Sequence, residues 1–263
     1  MTLWHDIEQI RAQAPLVHNI TNYVVMNTTA NALLAIGASP VMAHAVEEVE
    51  EMAALASALV LNIGTLSATW IDAMIRAGLA ARRRGIPTVL DPVGSGATQL
   101  RTTTAAQLLE TVAPAIVRGN ASEIASLAGA AAGTKGVDST RSSLDVVDMA
   151  GQLAERAHCV VVVSGATDVI VGHGKVAKVL NGDPLMPRVT GMGCTASALT
   201  GAFAAVNPSP FEAALNAMAL MGIAGEIAAE EADGPGSLQL RFLDVLYIIT
   251  EADVLARVRV EAA

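Results

Sequence analysis

Apolar positions follow two rhythms along these 263 residues. Short, continuously apolar runs at residues 16–20, 40–43, 59–63, 88–90, 115–117 and 159–163, with further short ones at 169–171 and 176–180, predict strands. They do not alternate with polar residues, so they read as strands of a mostly parallel central sheet covered on both faces. Between them lie stretches of helical period at 24–36, 46–56, 69–84, 104–112, 122–127 and 142–157. Arg82, Arg83 and Arg84 ahead of Gly85 and Pro87 mark a helix end, with cations at the negative pole and residues that stop the helix behind them. After residue 191 the pattern is almost wholly helical, over 195–206, 211–231 and 238–257. The expected architecture is α/β, with helices on both faces of the sheet and a helical C-terminal third. No linker divides it, so residues 1–263 read as one domain. A small, polar, Gly-rich stretch at 129–143 stands apart, as a mobile lid or a surface excursion.

Composition narrows the partners. The chain is 52% hydrophobic but only 3% aromatic, which argues against base stacking on single-stranded nucleic acid. Its 25 acidic against 16 basic side chains give a net charge of -9, which repels phosphate backbones and anionic membrane surfaces. Neither nucleic acid nor membrane is expected as a partner. Residues 13–46 and 189–211 carry no Asp, Glu, Lys or Arg, yet Pro, Gly, Asn, Thr and Ser interrupt both, so neither is an unbroken membrane-spanning run. Such stretches are expected in a core, a site or a subunit interface. Cys159 and Cys194 offer neither a disulfide framework nor a paired zinc spacing, and Asp6, Glu8 and Arg11 break any targeting pattern at the start. Both features point to the cytoplasm.

Four segments carry candidate chemistry. Gly191-Met192-Gly193-Cys194-Thr195-Ala196 satisfies G-x-G-x-x-A and opens a helix, but a dinucleotide fold would place it after a first strand with more strands to follow. What survives is an anion site of backbone N–H groups, or a plain turn into a helix. Cys194 lies in that helix start, where the dipole favours thiolate, as a base, a nucleophile or a small residue chosen for fit. Asp91 ends an apolar run ahead of a Gly-rich turn, where open α/β sheets bind metal or substrate. Arg118 follows another such run and suits phosphate or carboxylate, while Asn120 and Glu123 have the spacing of a capping box. Ser164 opens a strand-turn-strand at 163–168 with hydroxyls available. No P-loop, zinc-hydrolase or elbow-serine motif occurs.

In order along the chain, Pro15-Leu16-Val17-His18-Asn19-Ile20-Thr21-Asn22, Gly37-Ala38-Ser39-Pro40-Val41-Met42, Asp91-Pro92-Val93, Arg118-Gly119-Asn120-Ala121-Ser122-Glu123, Gly182-Asp183-Pro184-Leu185-Met186, Gly191-Met192-Gly193-Cys194 and Gly234-Pro235-Gly236-Ser237 resemble the hydroxyethylthiazole kinases, ribokinase-like enzymes of thiamine salvage. The resemblance implies ATP-dependent phosphorylation of 4-methyl-5-(2-hydroxyethyl)thiazole, with Mg2+, in a homotrimer whose sites lie near subunit boundaries. It implies substrate contacts at Asn22, Met42 and Gly191, ATP contacts at Arg118, Ser164 and Gly193, magnesium at Asp91 and Glu123, and a catalytic base at Cys194. Met192 stands where the family often has Thr, which removes a hydroxyl beside the anion site. Two other readings stay open: a kinase of a pyridine or pyrimidine alcohol, and a non-catalytic protein that binds a nucleotide or thiamine precursor.

Overall fold

The computed structural model describes residues 3–129 and 142–262, so residues 130–141 of the stretch singled out at 129–143 lie outside the described residues. Helix α1 (Leu3–Gln13) leads into β1 (Leu16–Ile20). The chain then runs α2 (Met26–Ile36), β2 (Ser39–Val41), α3 (Val49–Leu55), β3 (Ala58–Asn62), α4 (Ala68–Arg84), β4 (Thr88–Asp91), α5 (Gln99–Val112), β5 (Ile116–Asn120) and α6 (Ala121–Leu127). A 3-10 turn at Ser143–Val146 precedes α7 (Val147–Ala157), β6 (Val160–Ser164), β7 (Asp168–Gly172) and β8 (Lys175–Val179). The last part holds α8 (Met192–Val206), α9 (Pro210–Glu230), α10 (Pro235–Ile248), α11 (Glu251–Arg257) and β9 (Val260–Ala262).

The described strands form one sheet in the order β2-β1-β3-β4-β5-β6-β7-β8-β9. Neighbours from β2 to β6 pair parallel, and β6 to β9 pair antiparallel. The continuous apolar runs have the cause expected of them, because both faces are covered. In β6, Val160 and Val162 enter the core shared with α1, α2 and α8 to α11, while Val161 and Val163 enter the core under α3 to α7. Every second residue of a strand faces one way, so two cores demand two apolar sets from one strand.

Local chemistry sets the helix ends. Gly85 closes α4 with φ 69° and returns its N–H to the Ala81 and Arg82 carbonyls, behind the three arginines. Helix α5 starts at Gln99, five residues before the apolar period becomes visible, because Thr98 caps it by accepting the Arg101 N–H. The single helix expected over 238–257 divides into α10 and α11: Thr250 and Asp253 form a capping box that starts a new helix. The tail after residue 196 is also not purely helical, since β9 adds an edge strand to β8. Among the described residues, α9 alone is long and apolar enough to cross a membrane, and 83% of its apolar window is buried in the protein.

Candidate active site

Polar residues gather at the carboxyl ends of the parallel strands, where Asn62 closes β3, Asp91 closes β4 and Ser164 closes β6. Asn22 follows β1, Arg118 lies in β5 and Glu123 stands in the first turn of α6. The first turn of α8 lies against them. Gly191 precedes that helix with φ 85°, a left-handed conformation that glycine adopts without strain. A Cβ on Gly191 would come within 2.7 Å of Val25 Cγ1, and one on Gly193 within 2.8 Å of Arg118 Nη1. The first intrahelical bond of α8 runs from Thr195 N–H to the Gly191 carbonyl at 2.8 Å, and no side chain caps the helix. The N–H groups of Gly193 and Cys194 therefore belong to the orphan donors of a helix start, the property required of an anion site.

A chain of side-chain hydrogen bonds crosses the site. Asn22 Nδ2 donates to Cys194 Sγ at 3.4 Å and to Asn62 Oδ1 at 2.9 Å. Asn62 Nδ2 donates to Asp91 Oδ2 at 2.8 Å, and Ser197 Oγ donates to the same oxygen at 2.7 Å. Arg118 places Nη1 4.0 Å from Asp91 Oδ2 and donates from Nη2 to Ser164 Oγ at 2.6 Å. Ser164 passes its own proton toward the Gly119 carbonyl at 3.3 Å. Glu123 and Asn120 do form the capping box, and Glu123 Oε1 also accepts the Gly94 N–H at 2.8 Å. Capping and site membership thus coincide in Glu123.

Three buried carboxylates, Asp91, Glu123 and Asp168, face the charge of one guanidinium, that of Arg118. Burial raises the Asp91 carboxyl, against the pull of Arg118 and the bonds from Ser197 and Asn62. Glu123 is pushed up to about 7, first by burial and then by the charge of Asp91. Cys194 departs from the direction a helix start alone implies: burial, then Asp91, push its thiol up to about 11. Carboxylates raised together in one cluster are a feature that functional sites share with buried structural networks.

Asp91 Oδ1 is buried without a hydrogen-bond partner, while both Glu123 oxygens already hold backbone N–H groups. No group of three or more His, Cys, Asp and Glu able to hold a metal occurs among the described residues. One free carboxylate oxygen with a second carboxylate nearby suits a cation that keeps most of its waters and takes phosphate oxygens, as magnesium does.

The structure brings Asn22, Asp91, Arg118, Glu123, Ser164, Gly193 and Cys194 together. Gly191 adjoins them at the margin, against Val25. Met42 lies one residue past β2, half-buried, outside the hydrogen-bonded chain; the adjoining Ala43 carbonyl is 2.7 Å from His18 Nε2. Asn62 and Ser197 were missed by reasoning from sequence. Asn62 had a usable signal, a polar residue inside the apolar run 59–63 at a strand's carboxyl end, whereas Ser197 is one helical turn past Gly193 in a stretch of small residues without contrast.

Known proteins resemble the chain over nearly its whole length. The hydroxyethylthiazole kinase of Nitratidesulfovibrio vulgaris (strain DSM 19637 / Miyazaki F) is 60% identical over 258 residues, covering 98% of this chain and 97% of that one. The solved structure of the hydroxyethylthiazole kinase protein from Pyrococcus horikoshii OT3 matches with a TM-score of 0.91 at 42% identity, over 99% of this chain and 98% of that one. Staphylococcus aureus pyridoxal kinase in complex with pyridoxal, at 16% identity and a TM-score of 0.68 over 94% and 97% of the two chains, shares the fold alone, the ribokinase-like arrangement. The model of the hydroxyethylthiazole kinase family matches residues 7–252, and the chain belongs to that family.

Proposed function

We propose that the chain is an ATP-dependent kinase that phosphorylates the primary alcohol of 4-methyl-5-(2-hydroxyethyl)thiazole in thiamine salvage. The observation that carries this reading is the hydrogen-bonded chain from Cys194 through Asn22 and Asn62 to Asp91, with Arg118 and Ser164 beside it. One end of that chain is neutral and suits an alcohol, and the other is charged and suits phosphates. The alcohol oxygen attacks the γ-phosphorus, the bond to ADP breaks and the alcohol proton leaves. Asn22 and Gly191 line the acceptor side with Met42 at its rim, and a neutral ring accounts for a segment free of charged residues. Arg118, Ser164 and the N–H of Gly193 hold the phosphates, where a preorganised cation and helix-start donors stabilise spread negative charge. Asp91 and Glu123 would hold magnesium; when bound, the ion would neutralise phosphate charge. Where Cys194 is a thiolate, its sulfur receives the alcohol proton and becomes the thiol. Its thiol at about 11 leaves little thiolate at neutral pH, so positioning and charge stabilisation supply most of the rate.

Residues 1–263 would act as one domain, in the cytoplasm, within a homotrimer. Supporting the last point, Tyr23 and Val24, 64% and 68% exposed, lie between Asn22 and Val25 at the edge of the site. The decisive assay is ADP formation from ATP against a panel of alcohols. Turnover with the thiazole alcohol above pyridine and pyrimidine alcohols is expected. Preference for another ring would reassign the substrate, and binding without turnover would make the chain a binding protein.

A further inference from the structure

Asn62 is 1% exposed and joins the two sides of the site. Its amide oxygen accepts the Gly64 N–H and Asn22 Nδ2, both at 2.9 Å, and its amide nitrogen donates to Asp91 Oδ2. A backbone N–H can only donate, so Gly64 fixes which end of the Asn62 amide faces Asn22 and which faces Asp91. Val24 N–H fixes Asn22 in the same way, at 3.1 Å from Asn22 Oδ1. Asn22 is thus pinned at its oxygen by Val24 and at one N–H by Asn62, leaving its other N–H on Cys194 Sγ. The fit is close: a Cβ on Gly64 would come within 2.6 Å of Asn22 Nδ2. On the far side, Asn62 and Ser197 both donate to Asp91 Oδ2, and Oδ1 stays without a partner. Ser197 donates to Asp91 Oδ2 and toward the Gly193 carbonyl, whereas Asn62 bonds both Asn22 and Asp91 and so is the side chain shared by both halves.

We infer that Asn62 is a positioning residue that sets the acceptor alcohol against the phosphoryl group, holding the Asn22 amide toward the hydroxyl with its oxygen and Asp91 in register with its nitrogen. The inference rests on the function proposed above. A side chain that merely closed the turn at Gly64 would need only the oxygen, which aspartate also supplies. The two ends of the amide therefore separate the roles.

The test uses the full chain, with calorimetric binding of the thiazole alcohol in the absence of nucleotide and metal, and steady-state turnover with ATP and magnesium. Asn62→Ala is expected to weaken alcohol binding about fivefold or more and to lower kcat tenfold or more. Ser197→Ala, which touches only the Asp91 side, is expected to bind the alcohol within about twofold of wild type. Asn62→Asp keeps the oxygen for Gly64 and Asn22 but sets a carboxyl against Asp91, so alcohol binding should stay within about twofold while kcat falls about tenfold. Wild-type alcohol binding in Asn62→Ala would overturn the inference, as would wild-type turnover in Asn62→Asp. If the alanine variant does not fold, the split between binding and kcat in the aspartate variant decides alone, and parallel losses overturn it. A wild-type chain that neither binds nor phosphorylates the alcohol overturns the functional reading and the inference with it, whereas a competent wild type with unsplit variants overturns the inference alone.

Discussion

Asp168 opens β7 with its carboxyl buried, accepting the Gly165 N–H at 2.9 Å in the turn behind Ser164. Burial pushes this group up to about 7, with Gly165 and Arg118 opposing. In the folded chain it keeps its proton up to about 7, while the unfolded chain releases it near the ordinary value of 3.8. Its contribution to stability is therefore complete below about pH 4 and fades as pH rises toward 7, on the order of 4 kcal/mol across that window. Asn in its place keeps an oxygen for Gly165 and has no proton to lose. Asp168→Asn is expected to flatten the dependence of Tm on pH between 4 and 7, with a residual slope because Glu123 is displaced in the same direction. Parallel Tm curves for variant and wild type would mean that Asp168 holds no proton there. The two cysteines carry a related lesson: burial pushes the Cys159 thiol up to about 12, and Cys194 to about 11 despite its helix start. A dipole legible in sequence was outweighed by burial and by Asp91, which is 103 residues away in the chain.

The first turn of α8 shows how an element pairs with a side chain across the sheet. Gly193 leaves room for Arg118 Nη1, and Arg118 is held in turn by Ser164 at 2.6 Å and is 9% exposed. Alanine is the better former of a helix interior by roughly 1 kcal/mol, but Gly193 is in the first turn and a Cβ there crowds a buried guanidinium, so Gly193→Ala should leave Tm unchanged or lower it. Its methyl would also displace the guanidinium, so KM for ATP should rise about fivefold or more, since charge-assisted phosphate contacts depend on orientation. Kinetics beside a melting curve check this, and an unchanged KM would mean that Arg118 has room to spare. Elements of this kind differ in how openly the sequence shows them. Strands buried on both faces were legible because two cores require unbroken apolar runs, and β1 falls on the expected residues 16–20. The start of α5 was not, because a single threonine cap sets it, and β9 was not, because three residues at an edge, one of them Glu261, show no period. In the site, residues that close strands or open helices were legible by position. Asn62 and Ser197 matter through partners that only the fold brings together.

Exposed apolar side chains at the scale of the whole molecule include Leu34 on α2 and Leu240, Tyr247 and Ile248 on α10, besides Tyr23 and Val24 beside the site. Apolar surface of this kind on two packed helices and at a site's edge suits burial by further copies of the chain. Sedimentation at micromolar concentration is expected to give the mass of three chains, and a monomer would refute the trimer.

Helix α1 adds a consequence for how the molecule is made. Leu3, Ile7 and Ile10 enter the core beside α8 and α9, and Asp6 accepts from Asn207 Nδ2 and Asn216 Nδ2, each at 2.7 Å. Arg11 Nη2 donates to the carbonyls of Tyr247 and Ile249 at 3.1 and 3.2 Å. These partners are more than two hundred residues downstream, so closing the loop between them is costly in entropy and slow. The main cover of the apolar residues of α1, helices α8 and α9, is not complete until translation has passed residue 230, and the carbonyls that hold Arg11 follow later still. Helix α1 is thus made long before its partners and seated late, and its place in the core depends on segments some two hundred residues further on.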